Sequence, residues 1–151
     1  MKSVVLGFFA VLFSTALFAQ AAAPASTGKK ADEVIKFAEQ KYSFGKIKQG
    51  VPVTHVFEFT NISGQPLVIE NAHASCGCTT PTWPQQPTAK GKSAKVTAGF
   101  NAAAAGPFDK TVFVKVAGVD LPVELKITGE VLTAEQYAKF EAENAAKKNG
   151  K

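Results

Sequence analysis

The stretch Leu121-Pro-Val-Glu-Leu-Lys-Ile-Thr-Gly-Glu-Val131 decides the fold. Leu121, Val123, Leu125, Ile127, Gly129 and Val131 alternate with Pro122, Glu124, Lys126, Thr128 and Glu130. In an extended chain, side chains two apart share a face, so this period of two makes a strand with one face in a core and the other in water. The same pattern recurs upstream. Val53, His55, Phe57 and Phe59 alternate with Thr54, Val56, Glu58 and Thr60, and Ala94, Val96, Ala98 and Phe100 form another such row. Phe108 to Val116 follows Gly106-Pro107 and sets Val112, Val114 and Val116 on one face. Leu67 and Ile69 open a strand that runs toward two cysteines, and Ile35 to Phe44 reads as a broken first strand. Asn61-Ile-Ser-Gly64, Lys90-Gly91-Lys92 and Gly118-Val-Asp120 supply the turns between them.

About seven short strands with turn residues between them predict an all-β domain. Two antiparallel sheets packed face to face, an immunoglobulin-like sandwich, bury such strands, with a small closed barrel as the alternative. The alternation assigns Phe57, Phe59, Leu67, Ile69, Val96, Phe100, Val112, Val114, Leu125 and Ile127 to the space between the sheets. An inter-sheet disulfide of the antibody type is not available, because the two cysteines stand two positions apart.

The chain has 151 residues, 46% hydrophobic and 19% charged, which is ordinary globular usage and enough for one domain. All 17 basic residues are Lys, against 12 acidic ones. Without Arg there is no planar fork to read guanine edges or grip phosphates bidentately, so no nucleic-acid partner is expected. Residues 1–21 read as a signal peptide. Lys2 precedes an apolar run from Val4 to Phe18, and Ala19-Gln20-Ala21 offers small residues for cleavage after Ala21. The run is shorter than the roughly 20 residues of a membrane span, and no Cys lies near the cleavage position to carry a lipid. The mature chain is thus expected to be periplasmic or secreted, monomeric and without a transmembrane segment. Residues 22–33 read as a flexible leader, 34–131 as the sandwich, and 132–151 as a C-terminal helix and tail. Thr133-Ala-Glu-Gln136 is a capping box that starts the helix, flanked by Leu132 and Tyr137 at the positions of a hydrophobic staple.

The chemically loaded spot is Ser75-Cys-Gly-Cys-Thr79. In an oxidising compartment a Cys76–Cys78 disulfide is feasible, with Gly77 free to take φ > 0 and tighten the ring. A ring of about three residues returns only on the order of 1.5 kcal/mol of loop entropy, so the bridge is a poor staple. That favours a local lock on a Cys76–Trp83 loop, with a redox-labile pair as the second possibility. His73 could join the two thiols in a soft-metal site for Cu(I) or Zn²⁺, a third possibility, with His55 as a distant fourth ligand. The preferred reading includes no metal and no cofactor. Gly-x-Ser-x-Gly, His-Glu-x-x-His and a phosphate-cradling glycine loop are all missing from the sequence, and no enzyme is expected. Asn61-Ile-Ser63 matches a glycosylation acceptor.

Phe44-Gly-Lys-Ile47, Gly50, Val56-Phe-Glu-Phe59 leading to Thr60-Asn61, Pro66-Leu-Val-Ile69, Ser75-Cys-Gly-Cys-Thr79 and Trp83 occur in that order. The series continues through Lys90-Gly91, Val96 to Asn101, Gly106-Pro-Phe108 and Ile127-Thr-Gly129, and it resembles the DUF1573 family. The likeness spans about residues 35 to 131. Lys90-Gly91 stands where many members have Pro-Gly. The resemblance implies an exported bacterial domain with an immunoglobulin-like fold akin to the ASPM-SPD-2-Hydin modules. It transfers no catalytic residue, because the family has no assigned biochemical function. The combined expectation is a non-catalytic module that binds a protein or a cell-envelope component.

Overall fold

A computed structural model describes residues 29–149. The expected signal peptide and residues 22–28 of the expected leader lie outside the described residues. Eight strands, β1 (Ile35–Phe37), β2 (Lys41–Lys48), β3 (Val53–Asn61), β4 (Ile69–Ala74), β5 (Thr79–Thr82), β6 (Ser93–Phe100), β7 (Gly106–Val116) and β8 (Val123–Leu132), precede one helix, α1 (Ala134–Asn149). They form two four-stranded sheets, ordered β1-β3-β6-β5 and β2-β8-β7-β4. Every pair is antiparallel except β2 with β8. This is the strand arrangement of an immunoglobulin-like sandwich, whose first strand here is divided between the sheets.

All ten side chains that the alternation assigned to the core are buried, Phe57, Val96, Val112, Val114, Leu125 and Ile127 completely so. Phe100 and Phe108 stack with ring centroids 4.2 Å apart, joining the first sheet to the second, and Phe37 packs on Phe59 at 5.5 Å. β8 passes close to β2 at Gly129. A Cβ there would stand 2.8 Å from the carbonyl oxygen of Gly45 and 2.7 Å from the Phe108 ring. Glycine at this place in the alternating stretch thus lets backbone and aromatic ring meet. Opposite it, Gly45 has φ +66° at the irregular step of β2 between Ser43 and Lys46.

The structure corrects several boundaries. Leu121 belongs to no strand and is 77% exposed. The β7–β8 turn closes with the Val119 amide donating to the Val116 carbonyl at 3.2 Å, which takes the partner Leu121 would need, so pairing starts at Val123 and Val119 fills the core instead at 2% exposure. The broken first strand is two strands in two sheets. The end of the expected leader is structured: Lys29 bridges Val119, and Ala31–Glu33 form a turn of 3-10 helix that delivers the buried Val34 and Ile35. The Cys76–Trp83 segment is not all loop, because β5 occupies Thr79–Thr82 and pairs with β6.

The capping box at Thr133 forms both of its bonds: the Thr133 amide donates to Gln136 Oε1 at 3.0 Å and the Gln136 amide to Thr133 Oγ1 at 3.3 Å. α1 has 16 residues and touches the sandwich through its first two turns, where Lys46 Nζ sits 5.1 Å above the Phe140 ring. From Glu141 to Lys148 every residue is exposed. No helix among the described residues is long and apolar enough to cross a membrane.

Candidate functional site

Two of the short crossings between the sheets border the candidate sites. The first crossing is Ala38–Gln40, between β1 and β2. Ile62 donates to the Val34 carbonyl at 3.0 Å and Ala38 to that of Glu58 at 2.9 Å, so the backbone of Ile35 and Phe37 faces the free side of β1. Past the crossing, Lys126 donates to the Gln40 carbonyl at 2.8 Å, and the β2–β8 ladder begins at Lys41 opposite Lys126. Alternate residues of a strand turn their backbone groups the same way, so the N–H and C=O of Glu124 point to where β2 has not yet arrived. Among the described residues no strand pairs with Glu124 on that side.

The gap is a groove of about 870 Å³ with Ile35, Phe37, Ile62, Leu121, Pro122 and Val123 on its walls. Leu121 and Ile62 are 77% and 46% exposed. Lys29, Lys30 and Lys36 oppose Asp32, Asp120 and Glu124 at this place, which leaves the groove without a dominant charge. The β7–β8 turn beside it is pinned by Lys115 Nζ, which donates to the carbonyls of Val119 and Asp120. Sequence reasoning missed this groove. Its signals were Pro122 inside the alternation and the break after Phe37.

The second crossing is Ser75–Cys78, between β4 and β5, toward the start of β3 and away from the groove at its end. Cys76 and Cys78 form a disulfide, with Cα atoms 5.3 Å apart. Gly77 does not take a positive φ, contrary to expectation; nothing lies within 4 Å of the place its Cβ would occupy. The turn closes instead through the Thr79 amide, which donates to the Cys76 carbonyl at 3.3 Å. Outside the ring, the Ser75 amide donates to the Thr111 carbonyl at 2.9 Å and the Thr111 amide to Ser75 Oγ at 3.2 Å. The Asn101 amide donates to the Cys78 carbonyl at 3.1 Å. Thr79 is buried, and its hydroxyl lies 3.7 Å from Cys76 Sγ and 4.0 Å from Cys78 Sγ. A cleft of about 210 Å³, bounded by Pro52, Val53, Gly99 and Asn101 among others, opens beside Cys78.

The histidines do not join the cysteines. His73 lies on β4 with its ring stacked on Phe113, centroids 5.2 Å apart. His55 stacks on Tyr42 at 3.5 Å and shares a 2.8 Å hydrogen bond with Glu39 Oε1, which ties β3 to the first crossing. No group of three or more His, Cys, Asp or Glu suited to a metal ion occurs among the described residues. Asn61, read as a possible glycan acceptor, has no exposed surface. Its Nδ2 donates to the carbonyls of Gln65 and Thr88, both at 2.8 Å, and its Oδ1 accepts from the amide and hydroxyl of Ser63. It braces the β3–β4 connection and cannot carry a sugar in the folded protein.

No curated protein matches the chain. Among solved structures the chain is similar to a protein of unknown function from Porphyromonas gingivalis W83, with TM-score 0.56 and 13% identity over 65% of this chain and 46% of that one. It is also similar to the secreted serine protease VesC from Vibrio cholerae, with TM-score 0.54 and 15% identity over 67% of this chain and 24% of that one. The ASH/PapD-like domain 7 of human CEP192 gives TM-score 0.52 and 10% identity over 76% of this chain and 96% of that one. The chain spans less than half the length of the first two, and at these identities the likeness establishes the fold alone. The sequence itself goes further: the model of DUF1573, described as a protein of unknown function, matches residues 35–131, from the first residue of β1 to the last but one of β8, and the chain belongs to that family.

Proposed function

We propose that this is an exported, non-catalytic immunoglobulin-like module that binds an extended segment of a protein partner in the groove between β1 and β8. The signal-peptide pattern of residues 1–21 supports export to the periplasm or beyond. The observation that carries the binding reading is the coincidence of exposed apolar side chains, Leu121 and Ile62, with unpaired strand backbone at Glu124. Apolar walls with a free strand edge are what strand addition requires: backbone bonds supply affinity and alternate side chains fill pockets. The balanced charges at the groove make a purely electrostatic partner a poor fit.

The test is a photo-crosslinking side chain placed at position 121 in cells that export the protein, with position 58 on the outer face of β3 as control. The expected outcome is a discrete adduct from position 121 alone. A synthetic peptide of the captured segment then binds the purified domain, and Leu121→Asp weakens it at least tenfold. Equal adducts from both positions, or a captured peptide indifferent to Leu121→Asp, would contradict the reading.

A further inference from the structure

We infer that Cys76 and Cys78 are a reversible thiol–disulfide exchange site whose co-reactant is a protein or peptide dithiol, reached through the cleft beside Cys78. This inference is independent of the groove, which lies toward the other end of β3.

Three observations carry it. First, the frame around the ring does not need the bridge. Ser75 is held to Thr111 by two bonds, Cys78 to Asn101 by one, and Thr79 enters the β5–β6 ladder opposite Phe100. Reduction therefore leaves both flanks bonded and the sandwich folded, so exchange at the pair is not tied to unfolding. Second, both cysteines are half-buried and so partly open to solvent, while the cleft brings a path to Cys78. Third, the buried hydroxyl of Thr79 stands within reach of both sulfurs and nearer to that of Cys76. A hydroxyl so placed can donate to a sulfur that becomes a thiolate, and hydrogen bonds to a charged group are the strong kind.

A thiolate of the co-reactant attacks Cys78 Sγ, the Cys76–Cys78 bond breaks, and its electron pair leaves on Cys76 Sγ, which accepts the Thr79 hydroxyl hydrogen bond. The second thiol of the co-reactant gives its proton to water and attacks its own sulfur in the mixed disulfide, expelling Cys78 as thiolate. Both cysteine thiolates take protons from water. The dithiol is oxidised to a disulfide by two electrons, and the Cys76–Cys78 disulfide is reduced to two thiols.

The test equilibrates the purified protein with glutathione buffers spanning about a hundredfold in redox ratio, then alkylates the free thiols. The expected result is that both thiols appear within that range while the amide spectrum of the sandwich stays folded. Reduction by dithiothreitol, the dithiol probe, should slow about tenfold in Thr79→Val and recover in Thr79→Ser, because losing a hydrogen bond to a charged sulfur is worth about a factor of ten or more. The pH profile for alkylation of the reduced pair should move to higher pH in Thr79→Val and return in Thr79→Ser. A pair that stays oxidised across the range, or that yields thiols only as the sandwich unfolds, would overturn the exchange site. An unchanged rate and pH profile in Thr79→Val would overturn the part given to Thr79.

Discussion

Among the connections that take the chain from one sheet to the other, Ala38–Gln40 uses three residues and Ser75–Cys78 four, and these two end differently. The first is secured from inside: Ile35 and Phe37 are buried on one side of it, and Lys126 receives it on the other. It leaves β8 bare at Glu124, with a groove beside the gap. The second is secured by backbone bonds on each flank and carries a disulfide besides. A crossing with an unpaired strand end beside it leaves backbone free for a partner, whereas one bonded on both flanks does not depend on its disulfide for its place.

The core beneath both crossings can be broken first. Phe59→Ala removes a side chain that is 1% exposed and packed on Phe37, and should cost about 3–5 kcal/mol in chemical denaturation. A loss below about 1 kcal/mol would mean that the inner face of β3 is wrongly assigned. Next comes Gly129→Ala, which drives a methyl into the Phe108 ring and the Gly45 carbonyl where β2 returns from the first crossing. Overpacking of this kind should cost about 1–3 kcal/mol, and a neutral result would mean that β2 and β8 do not approach so closely. At the second crossing, replacing both cysteines by serine should cost no more than about 1.5 kcal/mol, since the closed ring is tiny. A larger loss would make the bridge a structural staple and remove the contrast between the crossings. The smallest effect belongs to Leu121→Asp, which should change stability by less than about 0.5 kcal/mol because the side chain is already in water.

The sandwich was legible because its long strands are half-buried, and half-burial writes itself into sequence as alternation. Phe57, Phe59, Leu125 and Ile127 could be placed by that rule alone. What escaped were the features set by backbone pairing. β5 has four residues, one of them Pro81, at a sheet edge, too short for a period to emerge. The division of Ile35–Phe44 between two sheets is a matter of which neighbour each half finds, and hydropathy carries no record of it. Leu121 fits the alternation by type, yet the turn through Val119 takes the Val116 carbonyl it would need in the ladder. The cysteine pair was legible by its spacing, but the buried hydroxyl that serves it was not, since Thr79 reads like any strand threonine. Asn61 matched a surface acceptor pattern while its side chain was committed to four internal hydrogen bonds.

The measurement closest to the central claim is amide hydrogen exchange at Glu124, compared with Leu125 and Lys126 on the same strand. In the free protein Glu124 should exchange at least tenfold faster than either neighbour, since Leu125 pairs with Val112 of β7 and Lys126 donates to Gln40. With the crosslinked partner's peptide bound, Glu124 should slow at least tenfold while Lys126 is unchanged. A Glu124 amide already protected in the free protein, or one that stays fast in the complex, would contradict strand addition at this edge.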